Sequence, residues 1–202
     1  MVVISAAVEG LVDEAVAKRL ITEVGAIPGT IYGKNGKAAL RSRIVGYNKA
    51  AAYAPWFILV DLDHEDCAPN LRRNWLPTLS PHLCFRIAIR EIEAWLFADR
   101  ERLAKFLSLP LDHIAANPEV IANPKEEMVR LAAASRSKKI CQDMAPRPES
   151  GRSVGPAYTS RLIEFVTTAQ AESCWRPDIA QTYSDSLRRA IACLRRLVES
   201  AA

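Results

Sequence analysis

Short runs of consecutive apolar residues divide the first half of the chain and predict buried β-strands. Three runs, at 2–8, 56–60 and 83–89, contain almost no polar residue. Continuous apolar runs of about 4–8 residues are typical of strands covered on both faces. A fourth extended segment is expected over 26–32, where Pro28 and Gly29 interrupt the pattern.

Segments with helical spacing separate these predicted strands. We expect helices over 14–21, with Asp13 as the N-cap, over 38–45 and over 70–75. Strands that alternate with helices favour a parallel sheet with helices on both faces. The first half therefore predicts an α/β fold with a mostly parallel four-stranded sheet flanked by helices.

The pattern in the second half is predominantly helical. Helices are predicted over 91–107, 125–134, 159–169 and 184–198, and the last of these is amphipathic. The segment 145–156 is rich in Pro, Gly, Ser and Arg, which indicates a loop. We therefore expect an α/β core over 1–108 and a helical C-terminal extension over 109–202 that packs on it.

Composition narrows the class of protein. The chain has 202 residues, of which 50% are hydrophobic and 25% charged, as in ordinary globular proteins. No apolar run approaches the roughly 20 residues that span a bilayer, and the N-terminus does not resemble a signal peptide, so a cytosolic location is expected. Five scattered cysteines without C-x-x-C spacing predict buried, reduced thiols and no disulfide framework or structural zinc site.

The distribution of charge points to a polyanionic partner. Seven basic residues and one acid lie between Lys18 and Lys49, and seven basic residues and two acids between Arg130 and Arg161. Basic flanks around an acidic centre would suit nucleic acid, although solvated faces of surface helices explain them equally well. The candidate phosphate contacts are Lys34, Lys37, Arg136, Lys138, Arg152 and Arg161.

Acidic residues follow two of the predicted strands. Asp61 and Asp63 come directly after the run 56–60, and Glu9 follows the run 2–8. Residues two apart on an extended chain point to the same side, and the carboxyl ends of parallel strands meet at one edge of a sheet. The three carboxylates are therefore predicted to face one another and hold a divalent cation. The alternative is that the aspartates cap the next helix and that Glu9 is a turn residue.

These motifs resemble those of the Toprim domain, a Rossmann-like fold found in topoisomerases, primases, recombination proteins and nucleases of the overcoming-lysogenisation-defect type. The resemblance rests on Glu9-Gly10 and on Asp61-Leu62-Asp63. A closer resemblance, over nearly the whole chain, is to a bacterial Toprim-like family, domain of unknown function 4276 (DUF4276). It rests on the stretches 32–37, 61–64, 90–95 and 154–158.

The resemblance implies roles for particular residues. Asp61 and Asp63 would bind Mg²⁺ or Mn²⁺, and Glu9 would be a further ligand or the general acid/base. Glu93 would be a metal ligand from a third acidic motif, in preference to Glu91. Lys125 would be a catalytic lysine near the metal, and His64 is a candidate contact.

We therefore expect a metal-dependent phosphodiester hydrolase, a Toprim-type nuclease acting on DNA or RNA. The alternative is a non-catalytic subunit that binds nucleic acid or a protein partner and works with an ATPase in bacterial defence or repair. The segment 33–37 lacks Walker A spacing, so ATP binding is not predicted. A phosphotransferase on a small nucleotide, Tyr158 as a nucleophile, and the oligomeric state are left open.

Overall fold

A computed structural model describes residues 1–168 and 173–201. Its strands and α-helices follow one another in the order β1 (Val3–Val8), α1 (Leu11–Glu23), β2 (Ile27–Gly33), α2 (Lys37–Ala50), β3 (Trp56–Asp61), α3 (Ala68–Trp75), β4 (Leu83–Ala88), α4 (Ile92–Phe97), α5 (Arg100–Phe106), α6 (Pro124–Ala133), α7 (Lys138–Met144), α8 (Tyr158–Thr167), α9 (Pro177–Ala180) and α10 (Asp185–Ala201). No helix in these two ranges is both long and apolar enough to cross a membrane.

The four strands form one parallel sheet in the order β2-β1-β3-β4, which confirms the predicted α/β fold. The chain first steps from β1 to β2 and then crosses back over β1 to reach β3 and β4. Helices α1 and α10 contact each other over one side of the sheet. Helices α2 and α3 pack on the other side, in a core that includes Ile44, Ile58, Trp75 and Phe85. With helices on both faces, β3 is buried from Trp56 to Val60, as its apolar run predicts.

The chain divides into two compact units. The first consists of 1–89 and 185–202 and contains the sheet; the second consists of 90–184 and is helical. Helix α10 thus belongs with the sheet, and the segment 90–108 belongs with the later helices. The boundary that we predict after residue 108, between an α/β core and a helical extension, stays a prediction.

Two helix predictions are wrong in detail. Helix α1 begins at Leu11 after the N-cap Gly10, and Asp13 lies buried in its first turn instead of capping it. The expected helix over 91–107 is broken into α4 and α5 at Asp99. The buried Asp99 carboxylate accepts hydrogen bonds from the backbone and guanidinium of Arg176, in the same unit, and these bonds stabilise the break.

The other predicted helices are present to within a few residues, except that α2 continues to Ala50. Helices α7 and α9 were not predicted. The end of the predicted helix over 159–169 lies outside the described residues. All five cysteines lie in the described part of the chain and are free thiols, as predicted, but only Cys84 and Cys174 are buried and the other three are partly exposed.

Candidate functional site

The predicted metal ligands Glu9, Asp61 and Asp63 lie in the first unit, where the order of the strands in the sheet reverses. In a sheet with this strand order, the helices that follow β1 and β2 cover opposite faces, which opens a crevice at the carboxyl ends of β1 and β3. Glu9 directly follows β1, and Asp61 is the last residue of β3. The backbone N–H of Asp61 donates a hydrogen bond to Glu9 Oε1 at 3.0 Å. The two strand ends are therefore joined through the Glu9 side chain.

The segment 33–37 is held against the end of β1. The N–H groups of Lys34 and Gly36 donate to the carbonyl oxygens of Val8 and Glu9 at 3.0 and 2.9 Å. Gly33 has φ +93°, and a Cβ at this position would lie 2.1 Å from the Val8 carbonyl oxygen. Only glycine fits so close to a neighbouring backbone. The backbone contacts place Lys37, the first residue of α2, beside the acidic residues.

Lys37 contacts the acidic residues directly. Its Nζ donates to Asp63 Oδ2 at 2.7 Å and to the Asp61 carbonyl oxygen at 2.7 Å. Asp63 itself has a left-handed backbone, with φ +53°. A lysine at a helix N-terminus lies at the positive end of the helix dipole, which is unfavourable for a cation. The Asp63 carboxylate offsets that cost, so Lys37 and Asp63 form a charge-compensated pair at the crevice.

Glu9 has a pKa well above the ordinary value of a glutamate. Burial raises its pKa to about 7, and the nearby charges of Asp13 and Asp63 add to the increase. The Asp61 N–H and the Lys37 charge oppose the shift without cancelling it. A carboxyl group with a pKa near neutrality exists in both protonation states at physiological pH. Its first oxygen is oriented by Asp61, so the group is held in a defined position for accepting or donating a proton.

The donor chemistry of this centre fits a hard divalent cation. Carboxylate and carbonyl oxygens are the ligands that Mg²⁺ prefers, and Mg²⁺ is usually bound by one or two carboxylates with several waters. As the described residues are arranged, no group of three or more His, Cys, Asp or Glu side chains is placed to hold a metal ion. The Lys37 ammonium lies 2.7 Å from Asp63 Oδ2 and pairs with this carboxylate. Asp61, Asp63 and Glu9 are the candidate ligands, and Lys37 is the cation that a metal ion would displace.

The second unit contains its own acidic cluster. Glu93 is 1% exposed, and its Oε1 accepts a hydrogen bond from the Tyr158 hydroxyl at 3.0 Å. Lys125 Nζ lies 4.0 Å from Oε1 of both Glu93 and Glu91, and the Lys125 backbone N–H donates to Glu91 Oε2 at 2.7 Å. Glu93 Oε2 is buried and accepts no hydrogen bond from the described residues. Glu93 and Lys125 are thus brought together, as candidate site residues of one unit.

The environment of this cluster favours protonated side chains. Burial raises the pKa of Glu93, an effect that the charge of Glu91 increases and that of Lys125 opposes. Burial and the charge of Glu93 raise the pKa of Tyr158. Tyr158 is therefore a hydrogen-bond donor to Glu93, and its environment disfavours the phenolate that a nucleophile requires.

The remaining candidate residues either pair with acidic residues or have exposed side chains. Lys34 pairs with Glu14 at 3.2 Å, and Arg161 binds Asp143 and Glu164, so the charges of both are partly compensated within the chain. Four further candidates have exposed side chains: His64, Arg136, Lys138 and Arg152.

Sequence reasoning missed the partners of the two central glutamates. Asp13 lies near Glu9 and raises its pKa, and the signal for this was its spacing of four residues from Glu9. Tyr158 reaches Glu93 across 65 residues of sequence, which no local pattern indicates. The contact of Lys37 with Asp63 was likewise not predicted, although Lys37 was a candidate phosphate contact.

We predict that Tyr158→Phe destabilises the protein by about 1–3 kcal/mol, because the buried Glu93 carboxyl group loses its hydrogen-bond donor. Urea denaturation followed by circular dichroism measures the change. Tyr183→Phe, at an exposed tyrosine of the same unit, is the matched control and is expected to leave the free energy of unfolding unchanged. Equal stability of the two variants would show that the Tyr158 hydroxyl contributes nothing.

Comparisons with known proteins identify no relative of this chain. No family profile, no curated protein and no solved structure matches the chain.

Proposed function

We propose that this chain is a divalent-metal-dependent phosphodiester hydrolase that acts on DNA or RNA, a cytosolic nuclease of the Toprim type. The observation that carries the proposal is the convergence of Glu9, Asp61, Asp63 and Lys37 at the carboxyl ends of β1 and β3. Acidic oxygens for a cation, a carboxyl group with a pKa near neutrality and a lysine are groups that metal-dependent phosphodiester hydrolysis can use. The resemblance of the Glu9-Gly10 and Asp61-Leu62-Asp63 motifs to those of Toprim proteins supports the same reading.

In this proposal each side chain has a distinct part. Mg²⁺ or Mn²⁺ bound to Asp61 and Asp63, with Glu9 as a further ligand or as acid/base, would supply Lewis-acid activation of water and charge neutralisation. Glu9, oriented by the Asp61 N–H, accepts the proton of the attacking water or returns one to the leaving oxygen. Lys37, displaced from Asp63, pairs with a phosphate oxygen and stabilises the charge that develops there.

A second candidate function is a non-catalytic subunit that binds nucleic acid or a partner ATPase in bacterial defence or repair. The observation that favours it is the Lys37–Asp63 pair, in which the lysine compensates the charge of one carboxylate of the centre. A site that is already charge-compensated can serve as a structural element. In this case the acidic centre would become active only when a partner displaces Lys37.

Cleavage assays separate the two functions. Purified protein is incubated with plasmid, single-stranded DNA and RNA in Mg²⁺, in Mn²⁺ and in EDTA. Metal-dependent cleavage that is lost in an Asp61 variant supports the hydrolase, and equal cleavage by both proteins would rule it out. Metal binding by calorimetry without cleavage, with activity appearing when an ATPase partner is added, favours the second function.

We predict that Lys37→Met tightens Mn²⁺ binding about two- to fivefold, the equivalent of about 0.5–1 kcal/mol for a partly exposed ion pair. The reason is that the metal no longer competes with the ammonium group for Asp63. Isothermal titration of the protein with Mn²⁺ alone gives the dissociation constant.

Lys34→Met is the matched control, since Lys34 pairs with Glu14 instead of with the acidic centre. Its Mn²⁺ affinity is expected to equal that of the wild type. Weaker binding by Lys37→Met would show that the lysine supports the metal site, contrary to the competition that we propose.

A further inference from the structure

An exposed tyrosine lies on top of a small aromatic stack in the first unit. Tyr32, on β2, is 43% exposed, and its ring stacks on that of Trp56 with a centroid distance of 5.4 Å and an interplanar angle of 25°. Tyr47, on α2, lies beside both rings, 5.9 Å from Tyr32 and 5.3 Å from Trp56. Tyr47 and Trp56 are both only 8% exposed. Two buried rings thus support one ring that reaches the surface.

The backbone of Tyr32 is held by the neighbouring strand β1. Tyr32 pairs with Ala7 in the sheet, and the following residue, Gly33, pairs with Val8 in close backbone contact. A ring held by a strand and by stacking loses little conformational entropy when a flat ligand covers it. Tyr32 is therefore suited to contact a planar aromatic group.

The segment of sequence that contains this ring is basic. Between Glu23 and Asp61 the sequence has no acidic residue and five basic ones, at 34, 37, 41, 43 and 49. Lys34 and Lys37 pair with acidic residues, but Arg43 is exposed and lies one helical turn before Tyr47, on the same side of α2. An aromatic surface among cations matches a ligand that carries both flat rings and negative charge. A polynucleotide strand with unstacked bases has this chemistry.

Tyr32 is also close to the acidic centre. It pairs with Ala7, which precedes Glu9 by two residues on the neighbouring strand. From the rise per residue and the spacing of strands, its Cα lies about 8 Å from that of Glu9. A strand of nucleic acid can therefore place one base on Tyr32 while a phosphate nearby in the same strand reaches the centre.

We propose that Tyr32 is a stacking platform for an unpaired base, and that the substrate of this protein is single-stranded nucleic acid. The inference rests on the proposed function and deepens it by naming the substrate class. A base must leave its stack to present a face to the ring, which a single strand allows and an intact duplex does not. The basic residues of α2 and the segment 33–37 then contact the backbone on either side of the stacked base.

Binding of short fluorescein-labelled oligonucleotides, followed by anisotropy in Ca²⁺ to prevent turnover, tests the inference. Tyr32→Ala is expected to weaken binding of single-stranded DNA roughly 5- to 150-fold, the range for loss of one base–aromatic stack. Tyr32→Phe retains the ring and is expected to bind within about twofold of the wild type. Tyr53→Ala, at a tyrosine that is 91% exposed in the turn after α2, is the control for an unrelated surface ring and is expected to bind as the wild type does.

An oligonucleotide of the same length that lacks bases provides the second arm. It is expected to bind the wild type and Tyr32→Ala equally well, which also shows that the variant is folded. If Tyr32→Ala loses affinity for this oligonucleotide as well, or binds normal DNA as tightly as the wild type, the stacking role is overturned and the proposed hydrolase stands. A preference of the wild type for duplex also overturns the inference alone. If the wild type binds no polynucleotide, the proposed function fails together with the inference.

Discussion

Asp61→Asn is expected to lower the rate of metal-dependent cleavage by at least about 10²–10³-fold, the size of effect seen when one charge-stabilising group is removed from an active site. Asparagine has nearly the same shape as aspartate. It keeps the backbone N–H that binds Glu9 and the backbone carbonyl that binds Lys37. The variant therefore removes the negative charge and leaves the contacts between the strand ends in place. The rate is measured at saturating Mn²⁺ on the substrate that the wild type cleaves best.

Asp66→Asn is the matched control, because Asp66 is an exposed carboxylate in the same acidic segment. Its cleavage rate is expected to remain within about twofold of the wild type, as for surface substitutions in general. If Asp61→Asn retains full activity, or if both variants lose it to the same extent, the Asp61 carboxylate has no special part in the reaction.

Glu9→Gln is expected to separate activity from stability. Cleavage should fall about 10²–10⁴-fold, because glutamine cannot exchange a proton with the attacking water or with the leaving oxygen. Its side-chain oxygen can still accept the hydrogen bond from the Asp61 N–H, so the orientation of the two strand ends is retained. A loss of activity in a variant that folds normally would place Glu9 in the chemistry.

The same substitution is expected to stabilise the protein at alkaline pH. The pKa of Glu9 is about 7 in the folded protein and 4.5 in the unfolded chain, so the folded state binds its proton more tightly. The resulting stabilisation is fully present below about pH 4.5 and is lost as the pH rises to about 7. The Glu9→Gln variant has no ionisable group at this position, so it does not lose this stabilisation as the pH rises. Relative to the wild type, its stability should therefore rise between acid and alkaline pH.

We expect the rise to be about 1–2 kcal/mol, since the full shift would correspond to about 3 kcal/mol and solvent screens a partly exposed group. Urea denaturation in EDTA at about pH 4 and about pH 8.5 measures it. Glu65→Gln, at an exposed glutamate of the same unit, is expected to show no comparable rise. Parallel stability curves for Glu9→Gln and the wild type would show that the Glu9 pKa is not raised.

The fold could be predicted from sequence to the extent that its signals were local. The run 56–60 predicted β3 because burial on both faces requires consecutive apolar residues. The alternation of strands and helices then limited the sheet to a parallel arrangement, which the structure confirms. The predicted helix boundaries were wrong where a side-chain contact determined them. The break between α4 and α5 depends on Asp99 and Arg176, which are 77 residues apart.

The contacts of the candidate site could likewise be predicted from sequence only in part. That Glu9 and Asp61 would approach each other could be predicted, because both follow strands of one parallel sheet and such strands end at the same edge. The contact of Lys37 with Asp63 could not, since it depends on the path of the segment 33–37 across the end of β1. The stack of Tyr32 on Trp56 could not either, because the two residues lie on strands separated by β1.

Local sequence signals thus predict the strands, most helices and the acidic residues at the strand ends. Apolar runs and periodicity are local features of the chain, and they indicate which of its side chains become buried. The tertiary structure alone decided which groups meet at the site, and through that the pKa of Glu9 and the pairing of Lys37. The physical reason is that desolvation and charge interactions depend on distances of a few ångströms between side chains far apart in sequence. Such distances are set only when the whole chain has packed.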